Sequence, residues 1–90
     1  MNLKIIPQAK KQIRKLSKTT QIIVGNKIRQ LGTGNFSNSK KLASYKDVFR
    51  IRLGDYRIVY ILRSDSVYII LVTHRREAYK KLAIYYKHFK

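Results

Sequence analysis

From Val48 to Thr73 apolar and polar positions alternate in steps of two, and on either side of that stretch the apolar repeat lengthens to three and four. Phe49, Ile51 and Leu53 fall on one face of a strand, with Arg50 and Arg52 on the other, because successive side chains of a pleated strand point to opposite sides. Gly54-Asp55 reads as a two-residue hairpin turn in which the glycine supplies positive φ. The next strand, Tyr56 to Arg63, sets Tyr56, Ile58, Tyr60 and Leu62 on one side and Arg57, Val59, Ile61 and Arg63 on the other. Ser64-Asp65-Ser66 turns the chain again. Val67 to Thr73 is apolar on both faces and is expected to be a central strand rather than an edge.

Upstream, Asn2 to Ile6 reads as a short first strand, and Pro7 suits the first turn of a helix. Ala9, Ile13 and Leu16 then make one apolar stripe, with Lys10, Lys11, Arg14 and Lys15 outside it. Ser17-Lys18-Thr19-Thr20 is a break where either threonine can cap a second helix. That helix is expected to bury Ile23, Val24, Ile28 and Leu31 and to end at Gly32. Gly32 to Ser39 is turn-rich and polar, a surface loop, after which Lys40-Lys41-Leu42 leads back to the sheet. From Glu77 onward Tyr79, Leu82, Ala83, Tyr86 and Phe89 recur at helical spacing, leaving Lys80, Lys81, Lys87 and Lys90 in water. The expected architecture is an α+β fold in one domain over residues 1–90. An N-terminal strand and a helical hairpin pack on one face of a mainly antiparallel four-stranded sheet, a helix closes the chain, and the other sheet face stays largely open.

Composition narrows the function. With 44% hydrophobic residues the chain has enough apolar material to fold without help. Cysteine is absent, which excludes disulfides and thiolate metal sites. Two histidines and four acids are a poor stock for a zinc or magnesium site, so no metal and no cofactor is expected. The longest apolar run, Val67 to Val72, is far below a membrane span. The expectation is a cytoplasmic protein with no membrane partner. Charge is the dominant feature: 21 Lys and Arg against four Asp and Glu give +17. A field of that size attracts phosphate backbones or acidic partners. All four acids, Asp47, Asp55, Asp65 and Glu77, follow residue 46, so the N-terminal half has no internal carboxylate with which to pair.

Two clusters carry candidate chemistry. Arg50, Arg52 and Arg57 are brought to one face by the hairpin, and guanidinium groups match phosphate oxygens bidentately. His74, Arg75, Arg76 and Tyr79 lie where the last strand meets the last helix, next to that face; histidine is the usual proton carrier near neutral pH. These parts suit metal-independent cleavage of RNA. The 2′-OH attacks the neighbouring phosphorus, a base takes its proton, an acid protonates the leaving 5′ oxygen, and cations hold the charge on the phosphoryl oxygens. The same residues also suit RNA binding without cleavage.

The segments F-R-I-R-L-G-D-Y-R-I-V-Y and V-Y-I-I-L-V-T-H-R-R-E-A-Y resemble the RelE/ParE superfamily of type II toxins, and the likeness spans nearly the whole chain. The resemblance implies a RelE-like fold and a toxin neutralised by an acidic cognate antitoxin in a hetero-oligomer. In the RelE-like branch it implies an endoribonuclease that cuts mRNA on the ribosome without a metal. Carried over position by position, it makes Arg57 and Arg75 (or Arg76) stabilisers of the transition state, and Tyr79 or His74 the group that moves protons. Arg50 and Arg52 grip the RNA, with Lys40, Lys41 and Arg76 as further binding residues. Ala43 stands where some members carry a base, and both strand lysines of the best-known member are arginines here, which keeps charge but removes a titratable acid. The alternative within the superfamily is a ParE-like inhibitor of DNA gyrase that cleaves nothing.

Overall fold

Period-two segments become strands and period-three-to-four segments become helices in the computed structural model, which describes residues 1–89. In chain order they are β1 (Asn2–Ile5), α1 (Pro7–Arg14), α2 (Lys18–Gly32), β2 (Ser39–Lys41), β3 (Val48–Leu53), β4 (Tyr56–Arg63), β5 (Ser66–His74) and α3 (Arg75–Phe89). The sheet has five strands in the order β1-β5-β4-β3-β2, one more than the sequence pattern suggests. The extra strand is the three-residue β2, antiparallel to β3 and too short to show an alternation. Among the described residues only β1, paired with β5, runs parallel to its neighbour. Among the described residues no helix is long and apolar enough to cross a membrane.

Each sheet face is covered, so neither stays open as the sequence pattern suggested. On one face α1 and α2 bury Ala9, Val24, Ile28 and Leu31 against Ile51, Ile58, Tyr60, Val67, Ile69 and Val72. On the other, Leu82 of α3 packs on Val48, Val59, Ile61, Ile70 and Leu71, with Tyr85, Tyr86 and Phe89 around it. The helix thus turns Ala78 and Leu82 inward, while Tyr79 and Ala83, placed on its apolar stripe by spacing, face out. Lys90 lies outside the described residues.

Several local expectations change for identifiable reasons. Ser17, not a threonine, caps α2, its hydroxyl accepting from the Thr20 N–H at 3.2 Å. Ile23 is 49% exposed, because Val24, Ile28 and Leu31 already fill the stripe. Gly32 lies inside the last turn, and the left-handed residue beyond the helix is Gly34, at φ 87°. What Gly32 permits is close packing, since a Cβ there would stand 3.2 Å from Leu3 Cδ2 of β1.

Strand β5 carries a bulge. Val59 pairs with Leu71 but Tyr60 with Ile69, so Ile70 is the extra residue. As a result Ile70 and Leu71, adjacent in sequence, both pack toward α3, and every position after them changes face. Beyond the reach of β1, the exposed edge of β5 is closed by α1: the Val72 N–H donates to Gln12 Oε1 at 2.8 Å.

Candidate functional site

The register of the strands assembles a row of cations on the face that α3 partly covers. Lys40 stands opposite Arg50, Arg50 opposite Val59 and Arg52 opposite Arg57, and Arg57 opposite Thr73. Two cross-strand pairs therefore set like charges face to face. Each such pair costs roughly 0.2–1 kcal/mol relative to an uncharged one. Arg50 and Arg57 are 8% and 9% exposed, which raises the cost, because repulsion is less screened where water is excluded. Among the described residues none of the four cations has a carboxylate partner. A bound polyanion would turn that repulsion into attraction.

Arg57 is the most firmly oriented of them. Its guanidinium donates twice from one terminal nitrogen, to the carbonyls of Gly54 and Tyr56, both at 2.9 Å. Gly54 takes φ 59°, the conformation that directs a carbonyl of the turn toward the arginine and that a Cβ would disfavour. The other guanidinium N–H groups remain for a ligand. Arg75 opens α3, where its backbone N–H donates to Asp55 O at 2.7 Å and its side chain stands 3.8 Å from the Asp55 carboxylate. The hairpin tip and the start of α3 are thereby tied together. Arg76, one residue on, is exposed.

His74 is not brought to this face. The bulge sends it to the opposite side, where it pairs with Tyr56 and packs edge-on against that ring at 5.9 Å. Its Nδ1 accepts the Arg76 N–H at 3.2 Å, a cap on the first turn of α3. Lys41 also departs from the row. It pairs with Phe49 on the helical-hairpin face, and its ammonium donates to the carbonyls of Leu42 and Tyr45, holding the loop before β3. Tyr79, 47% exposed, borders a cleft of about 310 Å³ lined by Leu42, Ala43, Ser44, Tyr45 and Leu82. That cleft lies on the α3 face, on the β2 side of the arginines.

Two participants were not singled out by sequence reasoning. Thr73, 9% exposed, is the neutral neighbour of Arg57, and only the bulge reveals its face. Asp55 looked like a turn residue, yet it is the contact that braces Arg75. Asp47 is shared by Arg63, at 2.6 Å, and the Tyr86 hydroxyl, at 3.0 Å, clamping the end of β4 to α3. Burial alone would raise its pKa, but hydrogen bonds from Arg63 and Tyr86, with the Arg63 charge, hold it below the usual carboxylate value.

The five-stranded α+β frame that carries this arginine face is shared with known toxins. The free E. coli toxin RelE, in a doubly arginine-to-alanine-substituted form, matches with a TM-score of 0.75 at 26% identity, over 99% of this chain and 97% of that one. The intact E. coli RelBE toxin–antitoxin complex matches with a TM-score of 0.71 at 26% identity, over 81% and 94% of the two chains. The RelB–RelE antitoxin–toxin complex of Methanococcus jannaschii, at 21% identity and a TM-score of 0.71 over 84% and 94%, shares the fold. None of the curated proteins compared with the chain matches it. The model of the ParE toxin of type II toxin-antitoxin system, parDE, matches residues 3–79. The chain therefore belongs to that family, within the RelE/ParE superfamily of type II toxins.

Proposed function

We propose that this toxin is an endoribonuclease that cuts mRNA on the ribosome, with the arginine face as its active site. The observation that carries the reading is the double like-charge arrangement of Lys40–Arg50 and Arg52–Arg57, which lowers stability unless phosphate occupies it. The likeness to E. coli RelE over nearly the full length of both chains supports the same branch.

The chemistry follows from what each side chain can do. Arginine stays protonated, so Arg50 and Arg52 bind the backbone but exchange no protons. Arg57, held by two carbonyls, points its remaining donors where charge grows as the 2′-OH attacks phosphorus. Preorganised donors of that kind are worth roughly 3–4 kcal/mol each in acyl-transfer sites. Arg75, braced by Asp55, is placed to add a second such contact from the α3 side. Proton transfer then falls to Tyr79, a hydroxyl on the arginine side of the sheet. His74, on the other face with its Nδ1 engaged, holds the α3 start instead.

Neutralisation by an acidic antitoxin belongs to the same proposal. The +17 charge favours it, and the related E. coli toxin was crystallised with RelB. The family match to ParE favours a second reading, inhibition of DNA gyrase without cleavage. Induced expression of the wild type, Arg57→Lys, Arg57→Ala and Tyr79→Phe, with transcripts mapped by primer extension, separates the two. Growth arrest with codon-phased cuts, lost in all three variants, is the expected result. Arrest with intact transcripts and broken DNA would replace it with the gyrase reading.

A further inference from the structure

A second basic surface lies across the sheet from the arginine face. Lys10, Lys11, Arg14, Lys15 and Lys18 are all exposed on α1 and at the start of α2. None of the five has a hydrogen bond or ion pair through its side chain among the described residues. All four acids lie elsewhere: Asp47 with Arg63, Asp55 with Arg75, Asp65 in the β4–β5 turn and Glu77 on α3.

Helix electrostatics explain only part of this. Lys11 and Arg14 sit in the last turn of α1, where the macrodipole favours cations. Lys18 is the first residue of α2, whose first turn holds no acid, and there the dipole opposes a cation. α3 shows the ordinary arrangement, with Glu77 in its first turn and Lys87 and His88 in its last. The α1–α2 end of the molecule is thus electrostatically costly, and it is rigid. Ala9 is fully buried, and Gln12 ties α1 to the edge of β5.

The composition of the ridge selects its ligand. No aromatic residue occurs before Phe36, so the ridge has no platform on which unpaired bases can stack. What it offers is Lys10, Lys11 and Arg14 on a helix about 12 Å long, with Lys15 just beyond its end and Lys18 at the start of α2, spaced to meet several phosphates. We propose that this α1–α2 ridge docks on the phosphate backbone of double-helical RNA, as a contact separate from the arginine face. The choice of RNA over DNA rests on the nuclease reading; docking on a duplex backbone does not.

The test is equilibrium binding by fluorescence anisotropy across a salt series, with a mixed-sequence 2′-O-methyl RNA duplex of about 16 base pairs. The methyl groups remove the nucleophile, so cleavage cannot enter the result. A uridine single strand, the matching DNA duplex and a polyglutamate peptide are the other probes. The variant combines Lys10→Gln, Lys11→Gln, Arg14→Gln and Lys15→Gln, and a second restores charge with Lys10→Arg, Lys11→Arg and Lys15→Arg. At about 0.1 M salt the glutamine variant should bind the RNA duplex at least about ten-fold more weakly, with a log–log salt slope shallower by about 3. Single-strand binding should stay within about two-fold, and the arginine variant should match the wild type. Should the four-fold variant fail to fold, Lys10→Gln with Lys11→Gln, and Lys15→Gln alone, should each remove about one unit of slope or more. An unchanged duplex affinity overturns the proposal, as does an equal loss for duplex and single strand. Tighter wild-type binding to the DNA duplex than to RNA overturns the assignment to RNA. Loss of polyglutamate binding with duplex binding kept would make the ridge a site for an acidic protein.

Discussion

Asp47 provides the sharpest physical prediction because one carboxylate holds three elements. Its Oδ2 accepts from Arg63 Nε at 2.6 Å, its Oδ1 accepts from the Tyr86 hydroxyl at 3.0 Å, and its own carbonyl receives the Leu62 N–H at 3.0 Å. Arg63 in turn lies 5.0 Å above the Phe89 ring, so the clamp joins the approach to β3, the end of β4 and the last turn of α3. Hydrogen bonds to a charged group are worth about 1.5–3 kcal/mol. The Arg63 side chain is 41% exposed against 19% for Asp47, so solvent screening lowers the ion-pair share. Asp47→Asn should therefore cost about 1–2 kcal/mol at neutral pH, and in a domain this small lower the melting temperature by about 5–15 °C. The sign with pH follows from the lowered pKa of Asp47. The stabilisation is fully present above the unfolded carboxylate value near 3.9 and is lost as pH falls through the lower folded value. Thermal melts of wild type and Asp47→Asn should differ at pH 7 and converge in acid, once the pH has fallen through the lowered folded value of Asp47. A gap that persists in acid, or none at pH 7, would refute the clamp. A cycle with Arg63→Gln should show coupling between the two positions of about 0.5–1 kcal/mol.

Three further substitutions probe other contacts. Gln12→Ala leaves the Val72 N–H without its acceptor and should cost about 1–3 kcal/mol; an unchanged melt would show that α1 is held by packing alone. Arg52→Thr relieves the repulsion with Arg57, so stability should rise by about 0.2–1 kcal/mol while affinity for single-stranded RNA falls, and a lower melting temperature would contradict the like-charge account. His74→Ala should leave growth arrest intact where Tyr79→Phe removes it; arrest lost in His74→Ala, with the melt unchanged, would put His74 in the chemistry.

Much of this structure is legible as alternation, and its departures have one main source. Phe49, Ile51 and Leu53 against Arg50 and Arg52 can be assigned to faces from the sequence, and so can Ile58 and Tyr60 against Arg57, Val59 and Ile61. Helix α1 is equally plain, because Ala9 and Ile13, followed by Leu16 just past its end, are the only apolar positions between Pro7 and Ser17. Contacts distant in sequence left no such mark. Gln12 reaches Val72 across 60 residues, and β2 is recognised only through its pairing with β3.

The bulge at Ile70 decides the reading of the site. Counted in strict alternation from Val67, His74 would share a face with Arg57, and a histidine there would be the natural base. The extra residue exchanges the two positions: Thr73 comes to stand beside Arg57, and His74 turns toward Tyr56. The run Val67 to Val72 is apolar throughout, so no polar residue marks where the phase changes. A fully buried strand hides its own register, because either face accepts any of its side chains. What the bulge achieves is chemical: it keeps a titratable imidazole out of the arginine row and sets it at the start of α3, where its Nδ1 receives a backbone N–H. The row is left with Lys40, three arginines and the Thr73 hydroxyl beside Arg57, so the proposed cleavage assigns proton transfer to Tyr79, a residue that sequence spacing had placed on the buried stripe of α3 and that the structure leaves 47% exposed.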